Sequence, residues 1–534
     1  MRFVPSTTAL LLAAFPLWAE ETPAKGKIVA VDLFKNGLAV VKYEVTLGKS
    51  GTYILNDAPN PVHGTFWIES AVPVEAAMKM RDVEVPATEA LPGNFQEDLA
   101  GKKVTLHFKG QNRPPVTGVM VKLKPEKGDE TPAVRYLREE RTLPKYLVLQ
   151  TAKSRIFVEA ADVLSVEAED VGDNVTRRKP RLLLTLGKTD NPETKVALRY
   201  ITHGITWAPS YRIDISDPKT LSLEQHATVK NELKDLDGAE VRLISGYPSV
   251  QYSYLPSLLN PGTTINQFLS EIQSGRSRID SNNDNGVIGQ QMAIGNNSFN
   301  PSGFNRATGA IPTGEGVDVH YQPIGKRTLA DGESLALTVS QGKASYERIV
   351  EWFVPDSHDE SGSRYRNRDR GEDDTAWDAL KFKNPLTYPM TTAPATVTAN
   401  GSFNGQRTSY WVNAGEETIL RVEKALSVRT LSIENERVEK NGERDLVWIG
   451  GRQYRKATVD GELTVNNNRK EAVAMVIRRR FSGELLKAEG EPKTSLSAEG
   501  VVSVNKRNEL LWSLPLKSGE EKKLKYSYTV LVPH

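Results

Sequence analysis

Val29-Ala30-Val31-Asp32-Leu33-Phe34-Lys35-Asn36-Gly37-Leu38-Ala39-Val40-Val41 sets an Asn-Gly pair between two apolar runs rich in valine. This is the strongest short-range hairpin signal, because a type I′ turn needs positive φ at both central residues and Asn-Gly tolerates it best. The stretch decides the fold class: strands joined by tight turns, not helices. Gly51-Thr52-Tyr53-Ile54-Leu55 reads as a third strand. Residues 28–95 are therefore expected to form a small N-terminal β-sandwich.

The same texture runs on. Gly101–Phe108, Val119–Leu123, Tyr146–Leu149, Arg155–Val158 and Val163–Val166 are short strands within about seventy residues, the pattern of a small SH3-like or Sm-like barrel over 96–170. Further strands over 175–430 form a central β-domain. In the last hundred residues Leu524, Tyr526, Tyr528, Val530 and Val532 keep a period of two, the mark of a half-buried strand. Residues 431–534 are expected to be an immunoglobulin-like sandwich. The fold class is all-β and multi-domain, and no repeat of fixed period runs along the chain.

One segment breaks the pattern. Residues 257–315 are rich in Asn, Ser and Gly and poor in bulky apolar groups, so a long disordered insert is expected there. Inside it Ile265, Phe268, Leu269 and Ile272 fall at i, i+3, i+4 and i+7 after Thr263 and Thr264, which can cap a short amphipathic helix. That stripe either docks on its own domain or enters a partner's groove. A second polar loop, dense in Arg, Asp and Glu, is expected over 357–375.

The chain opens with Arg2, an apolar run from Ala9 to Trp18 and a small residue, Ala19, before Glu20-Glu21. These are the parts of a secretory signal peptide over 1–19, with cleavage expected after Ala19. The run is about half of the roughly 20 residues a membrane-spanning helix needs, and no later stretch reaches that length. Periplasmic or extracellular residence follows as an expectation. With no cysteine in 534 residues, thiol catalysis, zinc–thiolate sites and disulfides are excluded. Lys+Arg total 69 and Asp+Glu 67, a balance that gives no electrostatic case for nucleic acid. Export argues further against an RNA-binding barrel. The 7 histidines are scattered, with no helical metal-binding pair.

At Trp207-Ala208-Pro209-Ser210-Tyr211 the sequence resembles the DUF4139 domain of the mucoidy inhibitor A family, and W-x-P-x-Y is the most specific feature. Val241–Ser245, Phe382-Lys383-Asn384 and Gly415-Glu416-Glu417 are similar to other parts of that domain. Where members of that family carry a coiled coil between two β-domains, this chain has the small barrel. The resemblance implies an exported or envelope β-protein of unassigned activity and supplies no catalytic residues. By period two, Trp207, Pro209 and Tyr211 share a sheet face. They read as core in preference to a sugar-stacking platform.

No catalytic, cofactor or metal motif emerges. Ser216-Asp217-Pro218-Lys219 and Ser503-Val504-Asn505-Lys506 match S-x-x-K without the helix that would set the lysine one turn from the serine. Asp280–Gly286 fails the register of a calcium loop. Arg478-Arg479-Arg480 reads as a solvated strand end. The expectation is a non-enzymatic exported protein with a protein or polysaccharide partner in the cell envelope. The alternative is an envelope hydrolase acting on polysaccharide through loop carboxylates.

Overall fold

The computed structural model describes residues 21–86, 95–110, 113–123, 145–169, 174–189, 191–246, 250, 252–281, 319–356, 375–437, 446–498 and 504–533. The signal segment 1–19 lies outside them. So do 282–315 of the expected insert, 357–374 of the second polar loop, Ser503, and residues 282–286 of the calcium-like stretch. About two thirds of the described residues lie in strands and few in helices, which makes the fold all-β.

The opening hairpin forms from Gly26–Leu33 and Leu38–Leu47. Its turn is not type I′, because only Gly37 takes a positive φ, of 84°. Asn36 instead uses its Oδ1 to accept the Leu38 N–H at 3.3 Å.

This hairpin sits inside a six-stranded sheet. The order is His320–Leu329, Leu236–Ser245, Gly26–Leu33, Leu38–Leu47, Thr194–His203 and Trp67–Ser70. A four-stranded sheet packs against it: Thr22–Ala24, Gly51–Leu55, Asn174–Leu186 and Val74–Pro86. Their shared core joins Val31, Val41 and Leu55 to Leu184, Leu198, Val241 and Trp207. The first sandwich thus takes strands from beyond 170, and the boundary read at 95 falls within it.

The small unit is an insertion into that sandwich. Val74–Pro86 and Asn174–Leu186 pair over their full length as a two-stranded ribbon, from Val74 opposite Leu186 to Pro86 opposite Asn174. Between the two arms lie the five strands Arg155–Glu159, Tyr146–Gln150, Val116–Met120, Lys103–Phe108 and Val163–Ala168, in that spatial order. The unit has its own core, including Val104, Leu106, Met120 and Leu149. The expected closed barrel is corrected to an open sheet. Its edge strands, Arg155–Glu159 and Val163–Ala168, are joined by the 3₁₀ turn Ala160–Asp162 and do not pair with each other.

The central and C-terminal sandwiches share a ten-stranded sheet. Its spine is Ser334–Val354, 21 residues and roughly 70 Å at about 3.4 Å per residue. Its first half pairs with Thr220–Asn231, and its second half pairs with Trp377–Lys383 and Val473–Ser482. A five-stranded sheet closes the C-terminal core around Leu463, Met475, Trp512, Tyr526 and Tyr528.

One corner is built three times. Asn231, Asn384 and Asn467 are buried at strand ends. The Nδ2 of each donates to three carbonyls: Lys234, Leu329 and Ala330; Tyr388, Val412 and Asn413; Glu471, Leu516 and Lys517. Each Oδ1 accepts the N–H two residues on. In each copy a Gly-Glu turn completes the clasp. Gly332, Gly415 and Gly519 donate N–H to the asparagine carbonyl, and the asparagine N–H goes to the carbonyl of Glu333, Glu416 or Glu520. The glutamate carboxylate then accepts the N–H of Ala330, Asn413 or Lys517 at 2.7–2.8 Å. The three glycines have φ of 83°, 74° and 68°, values a side chain resists at the third position of such a turn. The first and third clasps fasten the arch by which the chain crosses from one sheet to the other.

Candidate functional site

The W-x-P-x-Y stretch lies in the strand Ile205–Asp214. Trp207, Pro209 and Tyr211 are all buried, so the face expected from period two is a core face. Trp207 belongs to the first core and Tyr211 to the central one. Trp207 Nε1 donates to the Ile244 carbonyl at 3.2 Å, and the Tyr211 hydroxyl accepts the Thr391 N–H at 2.7 Å. Pro209 occupies the half of the strand that has a ladder on one side only, since pairing with Ala393–Ala399 begins at Tyr211. A residue without an N–H fits there.

Where these two cores meet, polar groups are buried. Lys35 Nζ donates to Thr391 Oγ1 at 2.6 Å and to the Thr392 carbonyl at 3.0 Å, with no carboxylate in ion-pair reach among the described residues. Burial lowers its pKa from the ordinary lysine value to about 8. Opposite Tyr211 across the ladder is Gln225, fully buried, whose amide oxygen and nitrogen both lack a hydrogen-bond partner among the described residues. Sequence reasoning missed both residues. Lys35 sits in a turn, where a lysine is ordinarily solvated.

The three arginines correct their reading as a solvated face. They lie within the strand Val473–Ser482, in the middle of the shared sheet. Arg479 is 1% exposed. Its Nε donates to the Tyr526 hydroxyl at 2.8 Å, its Nη2 to Glu434 at 2.5 Å, and its Nη1 to the Pro355 carbonyl. The Tyr526 hydroxyl donates to the same Glu434 oxygen at 2.7 Å. Arg478 lies between Glu351 and Glu509, and Arg480 pairs with Glu509 at 3.0 Å.

The stripe forms the helix Ile265–Ser281, longer than expected. Thr264 caps it, its Oγ1 accepting the Gln267 N–H at 3.1 Å. Residues 257–264 are not free loop: Ser257 and Thr263 hold backbone turns, and Ser257 N–H reaches the Pro61 carbonyl. Of the four stripe residues only Phe268 docks, its ring edge-on to His63 at 4.7 Å. Ile265, Leu269 and Ile272 stay exposed, at 69%, 49% and 42%.

Ser216 of the first S-x-x-K match sits in a turn, and its Oγ accepts the Asn400 N–H at 2.7 Å. Among the described residues no three metal-ligating side chains come together.

The concave site is a cleft of about 610 Å³ at the open end of the first sandwich. That volume falls in the range of roughly 300–1,000 Å³ typical of ligand pockets. It opens where Gly51–Leu55 leaves the ribbon: the ladder between them starts at Leu182, so residues 179–181 have no strand on that side. Lys179, Pro180 and Arg181 form one wall; Asn56, Asp57 and Tyr43 face it, with Asp235 and Asp331 from the first clasp region. Lys234 pairs with Asp57 and stacks over the Tyr43 ring at 5.3 Å. Burial, reinforced by Asp57, pushes the Tyr43 phenol up to about 12, so it stays a neutral hydroxyl donor. Asp235 accepts the Asp331 N–H at 2.8 Å.

Fold and site together define a multi-domain, all-β protein with an inserted module and a polar cleft. The chain belongs to the DUF4139 family, a domain of unknown function whose model matches residues 196–534. That region starts in Thr194–His203, includes all three clasps and runs on through the C-terminal sandwich. No curated protein matches the sequence. Among the described residues no helix is long and apolar enough to cross a membrane.

Proposed function

We propose that this is an exported protein of the cell envelope that binds a protein or polysaccharide partner and catalyses no reaction, using the inserted module as its reach. The observation that carries the reading is the ribbon. A five-stranded unit with its own core is set at the end of two paired strands, where it adds nothing to the sandwich cores. Placing a separate unit on a stalk presents surface. The unit also exposes Phe157 at 67% and Leu164 at 69%, one on each of its two edge strands. Export rests on the opening 19 residues, and the resemblance to the mucoidy inhibitor A family agrees with it.

The hydrolase alternative would draw on Asp57, Asp235 and Asp331 in the cleft. Asp57 is already held by Lys234, and Asp235 by a backbone N–H.

Two measurements test the proposal. Residues 1–27 fused to alkaline phosphatase should give periplasmic activity, and an inactive fusion would reject export. Replacing 87–173 by Asn-Gly would close the ribbon as a hairpin at Pro86 and Asn174. The sandwiches should keep their unfolding transition while cross-linked partners in the native envelope disappear. An unchanged cross-linking pattern would remove the module from the function.

A further inference from the structure

We infer that the cleft and the cationic face of the ribbon beside it form a binding site for an anionic glycan. The first support is the register. Lys79 lies directly opposite Arg181, and Arg81 directly opposite Lys179. Opposed residues share a sheet face, and so do alternate residues of one strand, so all four cations are on one face of the ribbon. Like charges directly opposite are destabilising in a sheet. Glu21 engages Arg81, with Nε to Oε2 at 3.0 Å, and its carboxyl is held below the ordinary range first by that bond. Among the described residues no carboxylate is in ion-pair reach of Lys79, Lys179 or Arg181. Glu21 also lies within electrostatic reach of Lys79, so Lys179 and Arg181 are the two cations left without a carboxylate partner among the described residues, where the ladder itself disfavours them.

The second support is continuity. Lys179 and Arg181 lie on the face opposite that of Leu182 and Leu184, which pack in the first core, and they also line the cleft at the edge that Gly51–Leu55 leaves open. Pro180 between them offers no N–H, so that wall presents cations and carbonyls to a ligand.

The interior selects among anions. Asp57, Asp235 and Asp331 line the cleft beside Asn56 and the Tyr43 hydroxyl. Carboxylates repel a dense polyanion such as nucleic acid, but they accept hydrogen bonds from sugar hydroxyls. A ligand with sparse acidic groups and many hydroxyls satisfies both parts: its acid on the cations and its hydroxyls on Asn56 and Asp331. The acid can be a uronate carboxylate or a sugar phosphate, and the arms of the experiment separate them. The inference depends on the envelope reading only for where such a glycan would be met.

The test is titration calorimetry on the full chain with oligogalacturonate, pentamannosyl phosphate, maltopentaose and a ten-residue oligothymidylate. At least one acidic glycan should bind, and binding should weaken as salt rises. The Lys179→Gln/Arg181→Gln variant should lose about tenfold or more in affinity, the scale of one or two charge-assisted hydrogen bonds. Maltopentaose should bind at least about tenfold more weakly than the acidic glycan by the same reasoning. The variant removes like-charge opposition, so its melting temperature should equal or exceed the parent's at low salt. If it does fall, Lys79→Gln, which leaves the cleft wall intact, serves as the second variant and should still weaken binding. The inference is overturned if neither acidic glycan binds, if maltopentaose binds as tightly, if the variants bind like the parent, or if the oligothymidylate binds best. All of this is read on purified protein, so failure here leaves the export and module experiments undisturbed.

Discussion

Arg479 in the C-terminal sandwich and Lys35 at the junction of the first two sandwiches are both buried cations, and they are handled in opposite ways. Arg479 meets a carboxylate, a tyrosine hydroxyl and a carbonyl. Among the described residues Lys35 meets a threonine hydroxyl and a carbonyl, and Gln225, opposite Tyr211, has no hydrogen-bond partner. A buried charge with a full set of partners fixes a unique geometry, and removing one partner strands the others. A buried polar group without partners contributes desolvation cost and little else. Arg479 therefore locks its part of the C-terminal sandwich through polar partners, whereas the junction holds together in spite of its polar groups.

The sharpest way to break this contrast is Arg479→Ala. It leaves Glu434 and the Tyr526 hydroxyl facing each other without their cation, and should cost about 3–5 kcal/mol in urea unfolding. A loss under about 1 kcal/mol, the value of an exposed pair, would mean that the network is not a lock. At the junction the sign should reverse. The folded lysine holds its proton less tightly than the unfolded one, so folding releases a proton between about pH 8 and the ordinary lysine range. The stability that Lys35 allows thus rises with pH across that window and is lowest below it. Lys35→Met should gain about 1–2 kcal/mol at pH 7, and the gain should shrink by pH 10. Parallel pH profiles for the two proteins would refute this. The smallest effect is expected from Gln225→Met, which loses no hydrogen bond and should stabilise by about 1 kcal/mol. A lower melting temperature would show that the amide has a role that its surroundings do not reveal.

Much of the fold was legible because strand side chains alternate within a few residues. The run Leu524–Val532 and the hairpin around Asn36-Gly37 needed no distant information. The helix start was legible for the same local reason, with Thr264 capping three residues before Gln267. What failed to show were relations between distant segments. Thr194–His203 completes a sheet begun at Gly26, and nothing near either strand announces it. Three consecutive arginines look solvated until Glu351, Glu434 and Glu509 arrive from other strands. The same holds for the candidate glycan site: Lys79 and Arg81 become neighbours of Arg181 and Lys179 only through the ribbon's register. The stripe of Ile265, Leu269 and Ile272 was legible as amphipathic, but its direction was not, because docking is decided by His63.

The asparagine clasps also bear on how such a chain can grow. Gly-Glu turns recur in the sequence at unequal intervals, so no period reveals them, yet the three corners share nearly the same hydrogen-bond pattern. Asn231 and Glu333 embrace the whole segment from 257 to 315, while Asn384 and Glu416 enclose little more than one hairpin. Closing a longer loop between two fastened points costs only the logarithm of its length. Each corner is then a place where a sandwich can accept an insertion of almost any size without disturbing the sheets on either side.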